Sequence, residues 1–198
     1  AERVESHLMG QKLIDAVKEA AGVPAMITGS VARGTWVKGD KDIDVFMLFP
    51  PELSREELQE KGLAAAYAVV EKFGGTSEEK YAEHPDLNAV FDGYDVDLVP
   101  CYNVASTAEM KCAVDRTPFH TRYLIDKIAP LKEDVLLLKQ FCKGGGVYGS
   151  DHMTGGFSGY LCELLILHYG GFSNFMRAAS KFRYGEVVDI EKYYPDKK

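Results

Sequence analysis

Two short stretches, "DIDV" at 42–45 and "YDVDLV" at 94–99, place carboxylates where strand residues are expected. Side chains two apart on a β-strand share a face, so Asp42 and Asp44 project together while Ile43 and Val45 enter a core. Asp95 and Asp97 alternate with Val96 and Leu98 in the same way. Like charges on one face cost stability unless something neutralises them. If the two strands lie side by side, up to four carboxylates crowd one patch of sheet. Three would suffice for two magnesium ions, which prefer hard oxygen ligands and keep several waters. Two such ions about 4 Å apart stabilise the attacking and leaving oxygens of in-line phosphoryl transfer. A single D-x-D is more often an edge-strand solubiliser, and Asp92 and Asp95 can be read as turn residues. Two D-x-D strands behind a Gly-Ser turn and an arginine favour the metal reading.

That turn is Gly29-Ser30, twelve residues before the first carboxylate strand. Glycine lets the backbone approach a phosphate, and N–H groups at a helix start favour an anion. The Ser30 hydroxyl and Arg33 can add hydrogen bonds to the same group. Alone, the turn would read as an N-cap beside a surface arginine.

The elements that must position these groups follow from local pattern. Residues 2–22 read as a helix with Val4, Leu8, Leu13, Val17 and Ala20 near helical spacing, ending on Gly22. "PAMITG" is a short strand running into the turn, and "SVARGTW" forms one or two helical turns. "KDIDVFMLF" is a strand stopped by Pro50-Pro51. "SREE" at 54–57 is a capping box opening a helix to about Phe73, closed by Gly74-Gly75. "SEEKYAEHP", "LNAVFDG" and "YDVDLVPCY" are short strands, the last two joined by the hairpin dipeptide Asp92-Gly93. Beyond Cys101 the chain turns mainly helical: "DRTPFHTRYLIDKI", with a proline in its first turn, then "KEDVLLLKQFCKGGG", "GFSGYLCELLILHYGG" and "SNFMRAASKFR". "GEVVDIEKYYPDKK" reads as one more strand and a frayed tail. The fold class is α+β, a small mixed β-sheet with flanking helices over 1–102 followed by a mainly helical region over 103–198.

A chain of 198 residues, 46% hydrophobic and 27% charged, suits one or two globular domains with a real core. Its net charge of −7 argues against a stand-alone nucleic-acid binder. The charge is uneven: residues 1–100 hold 10 basic and 19 acidic side chains, residues 101–198 hold 13 and 11. An acidic half facing metal ions and a mildly basic half facing phosphates would fit that division. No apolar run is long enough to span a membrane, and the first residues lack a signal peptide's order. Cys101, Cys112, Cys142 and Cys162 are widely spaced, as expected of reduced thiols in a cytoplasmic protein.

The order of Gly-Ser, arginine, D-x-D and a further strand aspartate resembles the polymerase-β-type nucleotidyltransferase superfamily. "GSVARGTWVKGDKDIDVFMLFP", "YAEHP", "DVDLVPCY", "AVDRTPFH", "LLLKQFCKGGGVYG" and "GGFSGYLCELLI" together resemble, more narrowly, the archaeal-type (class I) CCA-adding tRNA nucleotidyltransferases. The likeness runs from about Leu8 to Arg183 and implies a polymerase-β-like palm at 1–102. It also implies that Asp42 and Asp44 are the metal-binding pair and Asp97 the third carboxylate, which helps activate the attacking hydroxyl. Gly29, Ser30 and Arg33 would hold the triphosphate. His120, Lys139 and Tyr148 would contact the nucleotide from the helical side, with Thr117 a weaker candidate. Taken alone, Lys139 is equally a helix end facing water, and His120 more often a structural histidine. Lys111, Arg116, Arg122, Lys127 and Lys143 could meet RNA phosphates or only solvate a face.

The implied reaction joins CMP or AMP, from CTP or ATP, to a tRNA 3′ end with release of pyrophosphate, using two Mg2+ ions. Members of that family are more than twice this long, so either an excised catalytic part or a naturally short relative is expected. A nucleotidyltransferase acting on another acceptor and a non-catalytic nucleotide- or RNA-binding module are the competing readings. The "DRTPFH" and "GFSGYLCELL" segments speak against the former, and the intact Asp42, Asp44 and Asp97 against the latter.

Overall fold

Alternation of polar and apolar residues in "DIDVFMLF" and "YDVDLVPCY" builds the two central strands of a five-stranded sheet. In a computed structural model, which describes residues 2–40, 42–81 and 85–194, the chain divides into two compact units, Ala1–Ile125 and Asp126–Lys198. Residue 102, the expected boundary, is the last residue of the final strand, whereas the first compact unit continues to Ile125.

In the first unit, helix α1 (Glu2–Ala21) leads to β1 (Ala25–Ile27), a one-turn helix α2 (Gly29–Arg33) and β2 (Asp42–Phe49). Helix α3 (Arg55–Phe73) precedes β3 (Thr76–Tyr81), β4 (Pro85–Phe91) and β5 (Tyr94–Tyr102), and α4 (Arg116–Ile128) starts in this unit and ends three residues past its boundary. The strand order is β1-β2-β5-β4-β3. β2 and β5 pair parallel, and the other neighbours pair antiparallel, so the sheet is mixed. Local chemistry sets the boundaries. Ser54 Oγ accepts from Glu57 N–H at 3.1 Å while Glu57 Oε2 accepts from Ser54 N–H at 2.8 Å, a reciprocal cap on α3. Asp92 and Gly93 both hold positive φ, 48° and 76°, as a two-residue hairpin turn between β4 and β5 requires.

One face of the sheet is the core. Ile43, Val45, Met47 and Phe49 of β2 and Val96 and Leu98 of β5 pack with α1 and α3. On the opposite face, Phe46, Leu48, Val99 and Cys101 form a smaller apolar cluster packed against Met26 and Val114. The same face carries Asp42, Asp44, Asp95 and Asp97 at the strand starts, so it changes from acidic to apolar along its length.

The second unit contains α5 (Lys132–Gly144), α6 (Gly159–Tyr169) and α7 (Phe172–Ala179) around Ile128, Val135, Leu138, Cys142, Cys162, Leu165, Ile166 and Phe175. Among the described residues no helix is long and apolar enough to cross a membrane.

Two expectations need correction. α1 buries Met9, Leu13, Ala16 and Val17, whereas Val4 (61%) and Leu8 (59%) are exposed, as is Ala20. Gly10, whose added Cβ would come within 3.1 Å of Ile27, lets that stripe lie close to β1. The expected C-terminal strand is not formed: residues 185–194 are turns and irregular chain. Tyr194 N–H donates to Asp189 Oδ2 at 2.7 Å, a local bond in place of a sheet ladder. Residues 195–198, part of the expected tail, and Ala82, Glu83 and His84 of "YAEHP" lie outside the described residues.

Candidate active site

The β1–α2 turn and the starts of β2 and β5 meet on the acidic part of the sheet. Parallel pairing sets Asp42 opposite Asp95 and Asp44 opposite Asp97. Asp42 and Asp95 are exposed, Asp44 and Asp97 half-buried. Thr28 N–H donates to the Asp44 backbone carbonyl at 2.9 Å, which ties the turn to β2. Gly29 follows with φ of 63°, and a Cβ built there would lie 1.9 Å from Asp44 Oδ2. The glycine therefore has two reasons to be glycine: its left-handed backbone and the carboxylate resting over it. Thr28 occupies the N-cap position of α2 but makes no side-chain cap bond, and its buried hydroxyl has no hydrogen-bond partner among the described residues. Ser30 is half-buried in the first turn of α2.

Asn88 completes the patch. It lies opposite Asp97 across the β4–β5 pairing, and its side-chain amide donates to Asp97 Oδ1 at 2.8 Å and to Asp95 Oδ1. A neutral double donor between two carboxylates reduces their repulsion and fixes the orientation of Asp97.

Arg33 is 5% exposed, and its Nη1 donates to Thr121 Oγ1 of α4 at 3.2 Å. The start of α4 is held in turn by Asp115, a fully buried carboxylate. Its Oδ1 accepts from Tyr102 N–H at 2.9 Å, and its Oδ2 from Lys111 N–H at 2.9 Å and Cys112 N–H at 3.1 Å. Asp115 thus joins the end of β5 to the helix that carries Thr117 and His120, both half-buried. Burial, with Arg116 and Arg33 adding to it, holds the His120 imidazole below its ordinary pKa and favours the neutral ring.

In the second unit, Lys139 does not face water at a helix end. It is 2% exposed on the buried face of α5, and its Nζ lies 3.7 Å from Oε1 of Glu163, itself fully buried on α6. Tyr148 pairs as an isolated bridge with Phe157. Its hydroxyl and Lys139 Nζ both approach Gly159, at 3.0 and 3.3 Å from where a Cβ would stand.

The structure thus places Gly29, Ser30, Asp42, Asp44 and Asp97 at one end of the sheet, ties Arg33 to the helix of Thr117 and His120, and groups Lys139 with Tyr148. The other basic candidates make local contacts: Lys111 lies over the Tyr102 ring at 4.9 Å, Arg122 over Phe119 at 5.7 Å and Lys143 over Tyr148 at 5.2 Å. Arg116 Nε donates to the Ala113 carbonyl, and Lys127 pairs with Glu191 at 3.7 Å. Sequence reasoning passed over Asn88, Asp115, Thr121 and Glu163. For Glu163 a signal existed, because "CELLIL" and "LLLKQF" each bury one charge in an apolar helix and the two charges are opposite.

A divalent cation would find suitable donors in Asp42, Asp44 and Asp97, three hard-oxygen side chains on one face, one of them with room only because Gly29 lacks a Cβ. Among the described residues no three His, Cys, Asp or Glu side chains are gathered to hold an ion by themselves, so water or substrate oxygens would have to supply further ligands.

Comparison with known proteins identifies the family. A family model described as nucleotidyltransferase domain matches residues 11–120, and one described as tRNA nucleotidyltransferase, second domain, matches residues 133–198. The chain is 57% identical to a CCA-adding enzyme of Methanoregula boonei over 185 residues, 93% of this chain and 40% of that protein. With the CCA-adding enzyme of Methanosarcina acetivorans it shares 52% identity over 87% of this chain and 38% of that protein. The chain spans about two fifths of the length of these relatives. In fold it matches a cytoplasmic RNA terminal U-transferase with a TM-score of 0.61 at 19% identity, over 85% of this chain and 46% of that one.

Proposed function

This chain belongs to the nucleotidyltransferase domain family, and from that premise we propose that it transfers CMP and AMP, from CTP and ATP, to the 3′ end of tRNA. Nucleotidyltransferases of this kind generally use divalent metal ions. The observation that carries the reading is the β2–β5 register, which brings Asp44 beside Asp97 and lays the Asp44 carboxylate over bare Gly29. Homology to archaeal CCA-adding enzymes across 93% of the chain supports tRNA as the acceptor, as does the match of residues 133–198 to a tRNA nucleotidyltransferase second domain.

In this reading residues 1–102 form the catalytic head and residues 103–198 the nucleotide-contacting helical part. Asp42, Asp44 and Asp97 would hold two Mg2+ ions, which would supply positive charge for the phosphoryl oxygens. Gly29 and Ser30 bind the triphosphate through backbone and hydroxyl donors, with Arg33 contributing charge from behind the turn. Thr117 and His120 on α4, and Lys139 and Tyr148 of the second unit, contact the nucleotide. The terminal 3′-oxygen attacks the α-phosphorus and its proton passes to Asp97. The bond between the α-phosphorus and the bridging oxygen breaks, and pyrophosphate leaves. Rate enhancement comes from alignment and preorganised charge, without a covalent enzyme intermediate. Four free cysteines suit a reducing, cytoplasmic compartment.

The test incubates the chain with Mg2+, α-labelled CTP or ATP, and tRNAs ending before, within or after the CCA tail. Label on the shortened tRNAs alone is the expected result. Label on a small molecule or protein instead, or nucleotide binding with no transfer, would overturn the proposal.

A further inference from the structure

We propose that Glu163 is a positioning residue for Lys139, holding its ammonium charged and in place beside the Tyr148 hydroxyl and the start of α6. The inference rests on the reading above, in which Lys139 contacts the nucleotide, and adds a residue that reading does not assign.

Lys139 and Glu163 lie on the faces that α5 and α6 turn to the core, among Leu138, Cys142, Cys162 and Ile166. Lys139 is 2% exposed and Glu163 0%, with 3.7 Å between Nζ and Oε1. A lysine in such surroundings favours its neutral form unless an opposite charge lies close by. Apolar residues of similar volume would fill the same space without that cost, so a buried ion pair is a poor choice for stability alone. The neighbourhood of the ammonium is also kept open. A side chain at position 159 would stand 3.0 Å from Tyr148 Oη, 3.3 Å from Lys139 Nζ and 3.5 Å from Lys139 Cε, so Gly159 lets both polar groups lean over the first turn of α6.

The titratable and charged groups near Lys139 include Glu163 and Cys162 on α6, Cys142, whose thiol is hydrogen-bonded to that of Cys162, and Tyr148 with Lys143 over its ring. Burial pushes the Cys162 thiol up to about 12, so it remains uncharged at neutral pH. Glu163 is the carboxylate that the structure pairs with the Lys139 ammonium, 3.7 Å away. Replacing its carboxylate with the isosteric amide removes that charge and keeps the shape.

The experiment measures binding of Mg–ATP and of inorganic tripolyphosphate by calorimetry between pH 6 and 8.5. It compares the native chain with Glu163→Gln, Glu163→Asp and Lys139→Met, each variant referred to the native chain at the same pH so that ligand protonation cancels. For Glu163→Gln the loss of affinity should grow with pH, from roughly 2-fold at pH 6 to about 10-fold at pH 8.5, as the unsupported lysine gives up its proton. Glu163→Asp should restore most of the binding, and Lys139→Met should be weak at every pH. A Glu163→Gln deficit that does not change with pH, or no deficit while Lys139→Met is impaired, would overturn the role of Glu163. Native affinity in Lys139→Met would overturn the assignment of Lys139 itself. If Glu163→Gln does not fold, carbon-13 NMR of Lys139 in the native chain decides the matter. A charged ammonium throughout this range is expected, and a neutral amine overturns the proposal.

Discussion

Gly29→Ala separates the two reasons for glycine at the turn. An alanine at φ of 63° adopts a left-handed conformation, which costs about 1–2 kcal/mol. Its Cβ would also stand 1.9 Å from Asp44 Oδ2 and 3.0 Å from Asp44 Cγ, so the carboxylate must swing away by about 1 Å. Misplacing a catalytic group by that much costs on the order of 10²-fold in rate. Gly22→Ala is the matched control, because Gly22 has φ of 67° and nothing within 4 Å of the added methyl. Both variants should lose about 1–2 kcal/mol in urea unfolding, whereas only Gly29→Ala should lose about 100-fold in nucleotide transfer to tRNA. If Gly29→Ala transfers at more than about half the native rate while matching the instability of Gly22→Ala, the placement of Asp44 over the turn has no catalytic importance.

Asp44→Ala should abolish transfer. In metal-free buffer it should leave thermal stability unchanged or higher by up to about 1 kcal/mol, since the residue opposite it is the like-charged Asp97; retained transfer removes Asp44 from the catalytic set. Asp115→Ala strips one buried and two part-buried backbone N–H groups of their charged acceptor, and a loss of about 3–5 kcal/mol in urea unfolding is expected. For His120 the folded pKa lies below the ordinary 6.5, so the unfolded chain takes up the proton first as pH falls. Its contribution to stability is complete above about pH 6.5 and declines toward the lowered folded value; the unfolding free energy of His120→Gln, followed from pH 7.5 to 5, should lack that decline.

Where local chemistry decides, the structure follows the sequence closely. The Ser54–Glu57 cap, the Asp92-Gly93 turn and the alternation that separates Asp42 and Asp44 from Ile43 and Val45 depend on neighbours a few residues apart, and each forms as the pattern implies. The parallel pairing of β2 with β5 was the conditional step, and its register gives the carboxylate patch its form. Other features depend on distant partners. Asn88 reads as an ordinary polar residue in "LNAVF" until the β4–β5 register sets it opposite Asp97. Lys139 and Glu163 lie 24 positions apart and meet only through helix packing. The apolar spacing of α1 allowed more than one face, and close approach of Gly10 to Ile27 accompanies the face through Met9, Leu13, Ala16 and Val17. At the C-terminus, "EVVDI" has strand-like residues, but among the described residues no neighbouring strand pairs with it, and a lone strand has no ladder to stabilise it.

The central claim is that Asp42, Asp44 and Asp97 bind divalent cations next to a triphosphate held at Gly29 and Ser30. Anomalous diffraction from crystals grown with Mn2+ and a non-hydrolysable CTP analogue tests it most directly. The account predicts anomalous peaks bonded to oxygens of all three aspartates, with analogue phosphates at the turn. Manganese bound elsewhere, or an Asp97 still held by Asn88 and without metal while nucleotide is present, would contradict it.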